Sequence, residues 1–230
     1  MNVDGYNSET IERSKSVTGC FAMFLLFMGI TFLPLFYDGS KALLDKGYLY
    51  PLLFSLEFMI IFPLYYFYFR KREGYGWGNI RIGIFFPLFL CVLFIQYVIP
   101  SLIFIKQAES WSVSQLALEG HVFWMNAVMM ILIVPVYEEM IFRGCLLSVF
   151  RYWFGNNIYA AGIVVSLIFS ACHLQYLDWQ SFVMLFLVSG VFVVGRVKSG
   201  GILMPVLLHM LMNMTVIGMP FVSAYLGTVW

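Results

Sequence analysis

The stretch from residue 121 to residue 153, HVFWMNAVMMILIVPVYEEMIFRGCLLSVFRYW, decides the class of this protein. It is apolar over more than the roughly 20 residues that one helix needs to cross a bilayer. Glu138, Glu139 and Arg143 nevertheless lie inside it. An ionisable side chain at the bilayer centre costs roughly 2.5–3.5 kcal/mol, and such residues usually mark a functional site. The stretch therefore predicts a membrane helix that carries a polar site.

The composition of the whole chain is that of a membrane protein. Hydrophobic residues make up 62% of it and charged residues 11%, whereas soluble domains have about 45–50% and about 25%. The formal net charge of +1 argues against a nucleic-acid partner. We therefore predict an all-α, polytopic fold of about seven or eight transmembrane helices in a lipid bilayer.

Seven apolar segments have the length of a membrane span. They lie at approximately 17–37, 48–69, 82–105, 121–153, 157–174, 180–196 and 201–217. The tail from Met219 to Trp230 follows a break at Gly218 and Pro220 and is a candidate for a short eighth segment. The chain accordingly divides into a polar tail (1–16), N-terminal transmembrane helices (17–120), site-bearing helices (121–217) and a short C-terminal segment (218–230). The tail lacks the features of a signal peptide and is predicted to be cytosolic.

The distribution of basic residues predicts the orientation, because cytosolic loops carry an excess of Lys and Arg. With the N-terminus in the cytosol, nine of the thirteen basic residues fall on the cytosolic side. These are Arg13, Lys15, Arg70, Lys71, Arg72, Arg81, Arg151, Arg196 and Lys198. The opposite side holds only Lys41, Lys46 and Lys106, and Arg143 lies within the membrane. We therefore predict a multi-pass protein with a cytosolic N-terminus.

Polar residues on three of the predicted helices should meet at one depth. At about 1.5 Å per residue, Glu138, His173 and His209 lie at overlapping heights in the membrane. Glu139 and Arg143 are four residues apart, share a helix face and can pair. The same spacing separates Phe169 from His173, and His209 from Asn213. The pattern permits a single shared site.

These residue types suit hydrolysis of a peptide bond, which needs an activated water, a proton donor and donors for the oxyanion. Glu138 could activate the water with help from His173, while His209 and Asn213 donate to the oxyanion. A metal site is the other interpretation: Glu138, His173 and His209 could hold Zn²⁺ with a position open for water. The residues alone do not distinguish a site without a cofactor from a site that holds zinc.

Three short motifs carry a family resemblance. Residues 138–144, EEMIFRG, resemble the EExxFRG motif of the CAAX-processing and bacteriocin-processing (CPBP, or Abi) intramembrane proteases. Residues 169–173, FSACH, are similar to their FxxxH motif, and residues 209–213, HMLMN, to their HxxxN motif. All three motifs occur in the family's order, within roughly 120–217. The first hundred residues add nothing to the resemblance.

The resemblance implies an α-helical fold of eight or so helices, with a site open toward the cytosol. It also implies an endopeptidase that acts on prenylated CaaX proteins, bacteriocins, regulatory pro-peptides or other membrane-associated substrates. The family is described as metalloproteases, and a glutamate-only mechanism without zinc has also been argued for it. The lack of organelle-type signals favours a bacterial plasma membrane.

The resemblance also implies a role for each motif residue. Glu138 would activate water with the help of His173, and His209 with Asn213 would form the oxyanion hole. Glu139 and Arg143 would support the site. The aromatic residues of the first two motifs, Phe142 and Phe169, are candidates for substrate contact.

Two other functions stay open. The first is a membrane protein that acts by binding, such as a bacteriocin self-immunity protein or a partner of a sensor kinase. The second is a proton-coupled transporter, since buried Glu, Arg and His also form proton relays. The chain shows neither the internal repeat nor the paired broken helices typical of transporters.

The remaining polar and sulfur-containing residues receive structural interpretations. Glu57, within the second segment, is a buried carboxylate that either contributes to the site or serves packing. His121 is predicted to be an interfacial residue at the outer end of its helix. The four cysteines lie in apolar stretches without CxxC spacing and are predicted to be small core residues, neither zinc ligands nor disulfide partners.

Overall fold

The computed structural model of the protein describes residues 3–70, 76–102, 110–173, 175–176 and 178–226, and these residues form an all-α protein. The N-terminal half contains α1 (Val3–Thr31), α2 (Ser40–Asp45), α3 (Leu49–Leu64), α4 (Ile82–Leu93), α5 (Ile99–Leu102) and α6 (Ser110–Leu116). The C-terminal half contains α7 (Gly120–Val128), α8 (Val134–Glu139), α9 (Leu147–Trp153), α10 (Ile158–Ala171), α11 (Trp179–Ser199) and α12 (Leu203–Leu226). The predicted fold class is confirmed.

Several of these helices join into longer rods through π-helical turns. The turn Tyr65–Phe69 extends α3, and Phe94–Val98 joins α4 to α5. The turns Met129–Ile133 and Met140–Leu146 join α7, α8 and α9 into one continuous rod from Gly120 to Trp153. Single π turns in helices are frequently found at functional sites. The second turn of this rod contains most of the EEMIFRG sequence.

The described helices include six that are long and apolar enough to cross a membrane. They are Ile11–Thr31, Leu49–Phe69, Ile82–Leu102, Gly120–Trp153, Trp179–Ser199 and Leu203–Val222. The shorter apolar helix Ile158–Ala171 accounts for the remaining predicted segment. Large apolar side chains stay exposed on the outside of the bundle, for example Ile82 (79%) and Phe86 (58%) on α4. Large apolar side chains on a surface are favourable in contact with lipid and unfavourable in contact with water.

Two predicted boundaries differ from the structure. Helix α1 begins at Val3, so residues of the predicted tail are helical, because its Glu, Arg and Lys residues favour helix. Gly218 and Pro220 do not break the last helix, which continues to Leu226. Inside an apolar helix, proline removes one hydrogen bond, and the freed carbonyl is satisfied by its surroundings. The predicted eighth segment is therefore part of α12 as far as residue 226, and residues 227–230 lie outside the described residues.

The two ends of the bundle carry different residues. We call one end the basic face; its described basic residues are Arg13, Lys15, Arg70, Arg81, Arg151, Arg196 and Lys198. Contacts hold this end together: Arg13 Nη2 donates to Asn156 Oδ1 (3.1 Å), and the Asn79 amide donates to the Ser199 carbonyl (3.0 Å). The loop face is the other end, formed by residues 32–48, 117–119, 172–173, 175–176 and 178. There, Asn126 Nδ2 donates to the Gly47 carbonyl at 3.0 Å.

A backbone contact closes the basic face. The connection before α4 pairs with the residues before α12 in a parallel bridge between Gly76 and Gly201. The amide of Leu203 donates to the carbonyl of Trp77 at 3.0 Å. A Cβ atom on Gly201 would overlap the backbone of Trp77 and Gly78. Only glycine permits this approach of two chain segments.

We expect Gly201→Ala to destabilise the protein by about 1–3 kcal/mol, the usual cost of forcing extra atoms into a packed region. Thermal unfolding of the purified protein in detergent measures the effect. Gly190→Ala on α11 is the matched control, because a Cβ there has no neighbour within 4 Å. Equal stability of the two variants would show that the bridge does not hold the two segments together.

The prediction that none of the four cysteines forms a disulfide is wrong. Cys20 of α1 and Cys145 of the second π turn form a disulfide. The two cysteines are 125 residues apart in the sequence, so their spacing did not predict the bond. The packing of α1 against the rod brings the two sulfurs together. Cys91 and Cys172 are free, as predicted.

Candidate active site

Glu138 and Glu139 point in different directions because successive residues of a helix are rotated by about 100°. The Glu138 side chain is 14% exposed and lines an internal cavity, whereas Glu139 is fully buried between helices. Both residues lie on the short helix α8, which has Pro135 in its first turn. The adjacent carboxylates therefore have different surroundings and are suited to different roles.

Glu139 is the centre of a buried polar cluster. Its Oε1 accepts hydrogen bonds from Arg143 Nη1 (2.9 Å) and from His209 Nδ1 (2.9 Å). Arg143 Nη2 donates to the hydroxyl (2.7 Å) and the carbonyl (3.2 Å) of Ser189. The cluster joins the rod to α11 and α12, so Glu139 and Arg143 fix the position of His209.

Aromatic rings enclose the guanidinium group of Arg143. Its Cζ lies 4.5 Å from the centroid of Phe169 and 5.1 Å from that of Phe192. Ring faces attract cations, and the attraction is stronger in a site without water. Phe169 is fully buried and packs at 5.1 Å against Phe142. Phe142 lines the cavity, whereas Phe169 lies behind it and is not part of the cavity wall.

His209 presents its second nitrogen to Glu138. Because Nδ1 donates to the Glu139 carboxylate, Nε2 points away from it, and lies 3.9 Å from Glu138 Oε2. This distance is too long for a direct hydrogen bond. One water bound to both atoms at ordinary hydrogen-bond length fits it well. Glu138 Oε2 is buried and has no hydrogen-bond partner among the described residues.

His173 lies just beyond the end of α10 and lines the same cavity. Its Nδ1 is 2.7 Å from the Phe169 carbonyl oxygen. A carbonyl only accepts, so Nδ1 carries the proton, and Nε2 of the neutral ring is an acceptor. The ring stacks on Tyr176 with centroids 6.2 Å apart. His173 is thus held as a base.

Asn213 contacts the first π turn of the rod. Its Nδ2 donates to the Met130 carbonyl at 2.7 Å, and its side chain borders the cavity one helical turn beyond His209. One amide hydrogen is used in this bond. The other is available to a group in the cavity.

The cavity has a volume of about 170 Å³ and is lined by five of the predicted site residues, Glu138, Phe142, His173, His209 and Asn213. Its polar lining consists of Thr31, Tyr50, Glu57, Tyr137, Glu138, His173, Gln175, Tyr176, His209 and Asn213. Its apolar lining is aromatic and aliphatic and includes Phe27, Phe54, Phe142 and Leu185. The three helices that were predicted to share a site do surround one cavity.

Glu57, which the sequence left open between a site residue and a packing residue, also lines this cavity. Glu57 is 3% exposed. Its Oε2 accepts from the hydroxyl of Tyr137 at 2.6 Å, and its Oε1 from that of Thr31 at 2.8 Å. The feature of the sequence that pointed to Glu57 was its position as a single carboxylate within an apolar segment. Ser189 gave no comparable signal, because serine is common in membrane helices.

Gly144, the last residue of EEMIFRG, permits close packing of α3 against the motif. A Cβ at this position would lie 2.6 Å from the Tyr65 ring and 3.0 Å from its hydroxyl. The glycine therefore has a packing role, and the polar residues before it form the site.

The donor arrangement does not fit a metal ion. Among the described residues, no group of three His, Cys, Asp or Glu side chains lies close enough to hold one. The proposed ligands Glu138, His173 and His209 share the cavity without converging on a single point.

Residues 120–215 match the sequence model of the family described as type II CAAX prenyl endopeptidase Rce1-like. An uncharacterized 24.3 kDa protein of Escherichia coli is 40% identical over 90 residues, which are 39% of this chain and 41% of that protein. The chain thus matches about two fifths of that relative's length. No solved structure gives a significant match. The matched segment holds all three motifs and the whole candidate site except Glu57 and its neighbours, and the family that it matches is consistent with the one that the motifs predicted.

Proposed function

We propose that the protein is an intramembrane endopeptidase that hydrolyses a peptide bond of a membrane-associated protein or peptide. One observation carries this proposal: Glu138 Oε2 and His209 Nε2 face each other at 3.9 Å in a cavity that His173 also lines. A carboxylate, two imidazoles and room for water are the elements of general acid–base hydrolysis. The match of residues 120–215 to the model of a family described as CAAX prenyl endopeptidases supports it.

The reaction begins with a water bound to Glu138. Glu138 takes one proton from this water, while Nε2 of His173 accepts the other hydrogen and orients it. The water oxygen attacks the peptide carbonyl carbon, and the carbonyl electron pair moves to its oxygen. When the intermediate collapses, the C–N bond breaks and Glu138 returns its proton to the leaving amine. The side chain of Glu138 is then a carboxylate again.

Two donors stabilise the oxyanion in this scheme. The free amide hydrogen of Asn213 is the first, and Nε2–H of His209 is the second when the ring carries both protons. Glu139 at Nδ1 compensates the charge of that ring, and Arg143 holds Glu139. Preorganised donors of this kind are usually the largest single contribution to such catalysis. Phe142 contacts the substrate from the cavity wall, and Phe169 positions His173 and Arg143 from behind.

We place the protein in a bacterial plasma membrane with its N-terminus in the cytosol. The basic residues concentrated on one face of the bundle support this orientation, and the similar E. coli protein supports a bacterial setting. CaaX-type proteins, bacteriocins and regulatory pro-peptides are the candidate substrates.

The three histidines provide a test with an internal control. We expect His173→Ala and His209→Ala each to lower peptide cleavage about 100-fold or more, because the first removes the acceptor that orients the reacting water and the second removes a donor to the oxyanion. His121→Ala should leave cleavage unchanged, because His121 lies on the loop face and contacts Tyr48 and Glu119. Cleavage of a fluorogenic peptide library by protein in liposomes measures all three.

Two outcomes would redirect this proposal. If all three variants cleave like the wild type, the hydrolytic site lies elsewhere. If the wild type cleaves no peptide yet binds a bacteriocin or a sensor protein, the immunity or binding function replaces proteolysis. Adding a chelator to the active wild type tests zinc independently, and the donor arrangement leads us to expect no loss of cleavage.

A further inference from the structure

The cavity extends from the reacting groups toward the loop face. Tyr50, the second residue of α3, lines it near that face, and so do Gln175 and Tyr176 of the loop between α10 and α11. Thr31, the last residue of α1, lines it as well. All four lie at or near the ends of helices that reach the loop face. The mouth of the cavity is therefore at that face.

The opposite end of the cavity is closed. Among the described residues that line it, none belongs to the basic face. Its floor is formed by Phe142 and His209, and behind this floor lie Phe169 and Arg143, both fully buried. Arg196 of the basic face donates to the Arg143 carbonyl at 3.2 Å and covers this layer. A substrate cannot enter from the basic face without displacing the buried ion pair.

The two faces differ strongly in their basic residues. Of the described residues, seven Lys and Arg lie on the basic face, whereas the loop face has Lys41 and Lys46 alongside the acidic Asp38, Asp45, Glu119 and Asp178. Positive residues concentrate on the cytosolic side of membrane proteins. This rule places the basic face in the cytosol and the loop face outside.

We infer that the catalytic cavity opens on the non-cytosolic side of the membrane, so that its substrate is a polypeptide segment exposed there. The site opening toward the cytosol, which the family resemblance implied, is incompatible with a cytosolic N-terminus in this fold. An extended, apolar and non-acidic segment fits best, because the lining is largely aromatic and aliphatic and its carboxylates are Glu57 and Glu138. The substrate part of this inference rests on the proposed function, whereas the orientation does not.

Cysteine labelling in intact cells tests the orientation without any assay of activity. The background variant carries Cys91→Ala and Cys172→Ala, which remove the two free thiols. A single cysteine is then introduced as Gln175→Cys at the mouth, Lys46→Cys on the loop face or Lys198→Cys on the basic face. Each variant is treated with a membrane-impermeant maleimide before and after permeabilisation.

We expect Gln175→Cys and Lys46→Cys to be labelled in intact cells, and labelling of Lys198→Cys to be absent until the membrane is permeabilised. The reverse pattern would overturn the inference. The inference would also be overturned if the Lys46→Cys variant were labelled and the Gln175→Cys variant were not labelled either before or after permeabilisation. The mouth would then be closed at the loop face.

A second measurement addresses the substrate. Intact cells that carry the wild type should cleave an apolar peptide supplied outside, and the impermeant maleimide should abolish this cleavage in the Gln175→Cys variant but not in Lys46→Cys. If labelling shows the predicted orientation and no external peptide is cleaved while internal ones are, the substrate inference fails. If no peptide is cleaved from either side, the proposed function fails while the orientation stands.

Discussion

Replacing Glu138 with glutamine is expected to lower peptide cleavage about 100- to 10,000-fold, the usual contribution of a general acid–base residue. Glutamine has nearly the same shape but cannot accept the proton of the attacking water. The amide also cannot deliver a proton to the leaving amine. Initial rates on the fluorogenic peptide, measured in liposomes with excess substrate, should fall with little change in KM.

Glu119→Gln is the matched control for this substitution. Glu119 precedes the first turn of the same rod, its side chain is 82% exposed, and it does not line the cavity. The same chemical change there should leave the rate unaltered. A Glu138→Gln variant that cleaves as fast as Glu119→Gln would rule out Glu138 as the base.

Arg143→Met is expected to cost about 3–5 kcal/mol of stability, because it leaves the buried carboxylate of Glu139 without its cation. Both side chains are fully buried, and their ion pair is 2.9 Å long. Among the described residues, His209 is then the remaining hydrogen-bond donor to the Glu139 side chain. Unfolding by heat or by denaturing detergent, followed by circular dichroism, measures the loss.

Two further variants make this experiment decisive. Arg151→Met on α9 removes an exposed arginine of the same rod and should change stability little. Adding Glu139→Gln to Arg143→Met removes the buried charge, so the double variant should be less destabilised than the two single losses added together. Additive losses would mean that the two side chains do not act as a pair.

The sequence predicted the fold class well because apolar length and charge distribution follow directly from the bilayer. The seven apolar segments correspond to the helices of the structure, and the long segment 121–153 is one continuous rod. The ends of helices were harder to predict. The end of α12 was misplaced because Pro220 usually breaks helices in water, whereas α12 continues past it.

The candidate site was predictable where spacing within one helix carries information, as for Glu139 and Arg143. Contacts between distant helices were not predictable in this way. Ser189 binds Arg143 across 46 residues, and Tyr137 binds Glu57 across 80. The Cys20–Cys145 disulfide and the mouth of the cavity likewise depend on how helices pack. Side-chain patterns in one segment do not encode those relations.

The two hydrogen bonds at Glu139 Oε1 can form only at different stages of synthesis. Membrane helices are made and inserted in order, from the N-terminus onward. Arg143 lies four residues from Glu139 on the same rod, so the pair can form as soon as that rod enters the bilayer and lowers the cost of inserting both charges. His209 belongs to the last helix and reaches Glu139 only after α12 has been synthesised. A ribosome-bound chain can therefore hold the neutral Glu139–Arg143 pair in the membrane while it still lacks a complete hydrolytic site.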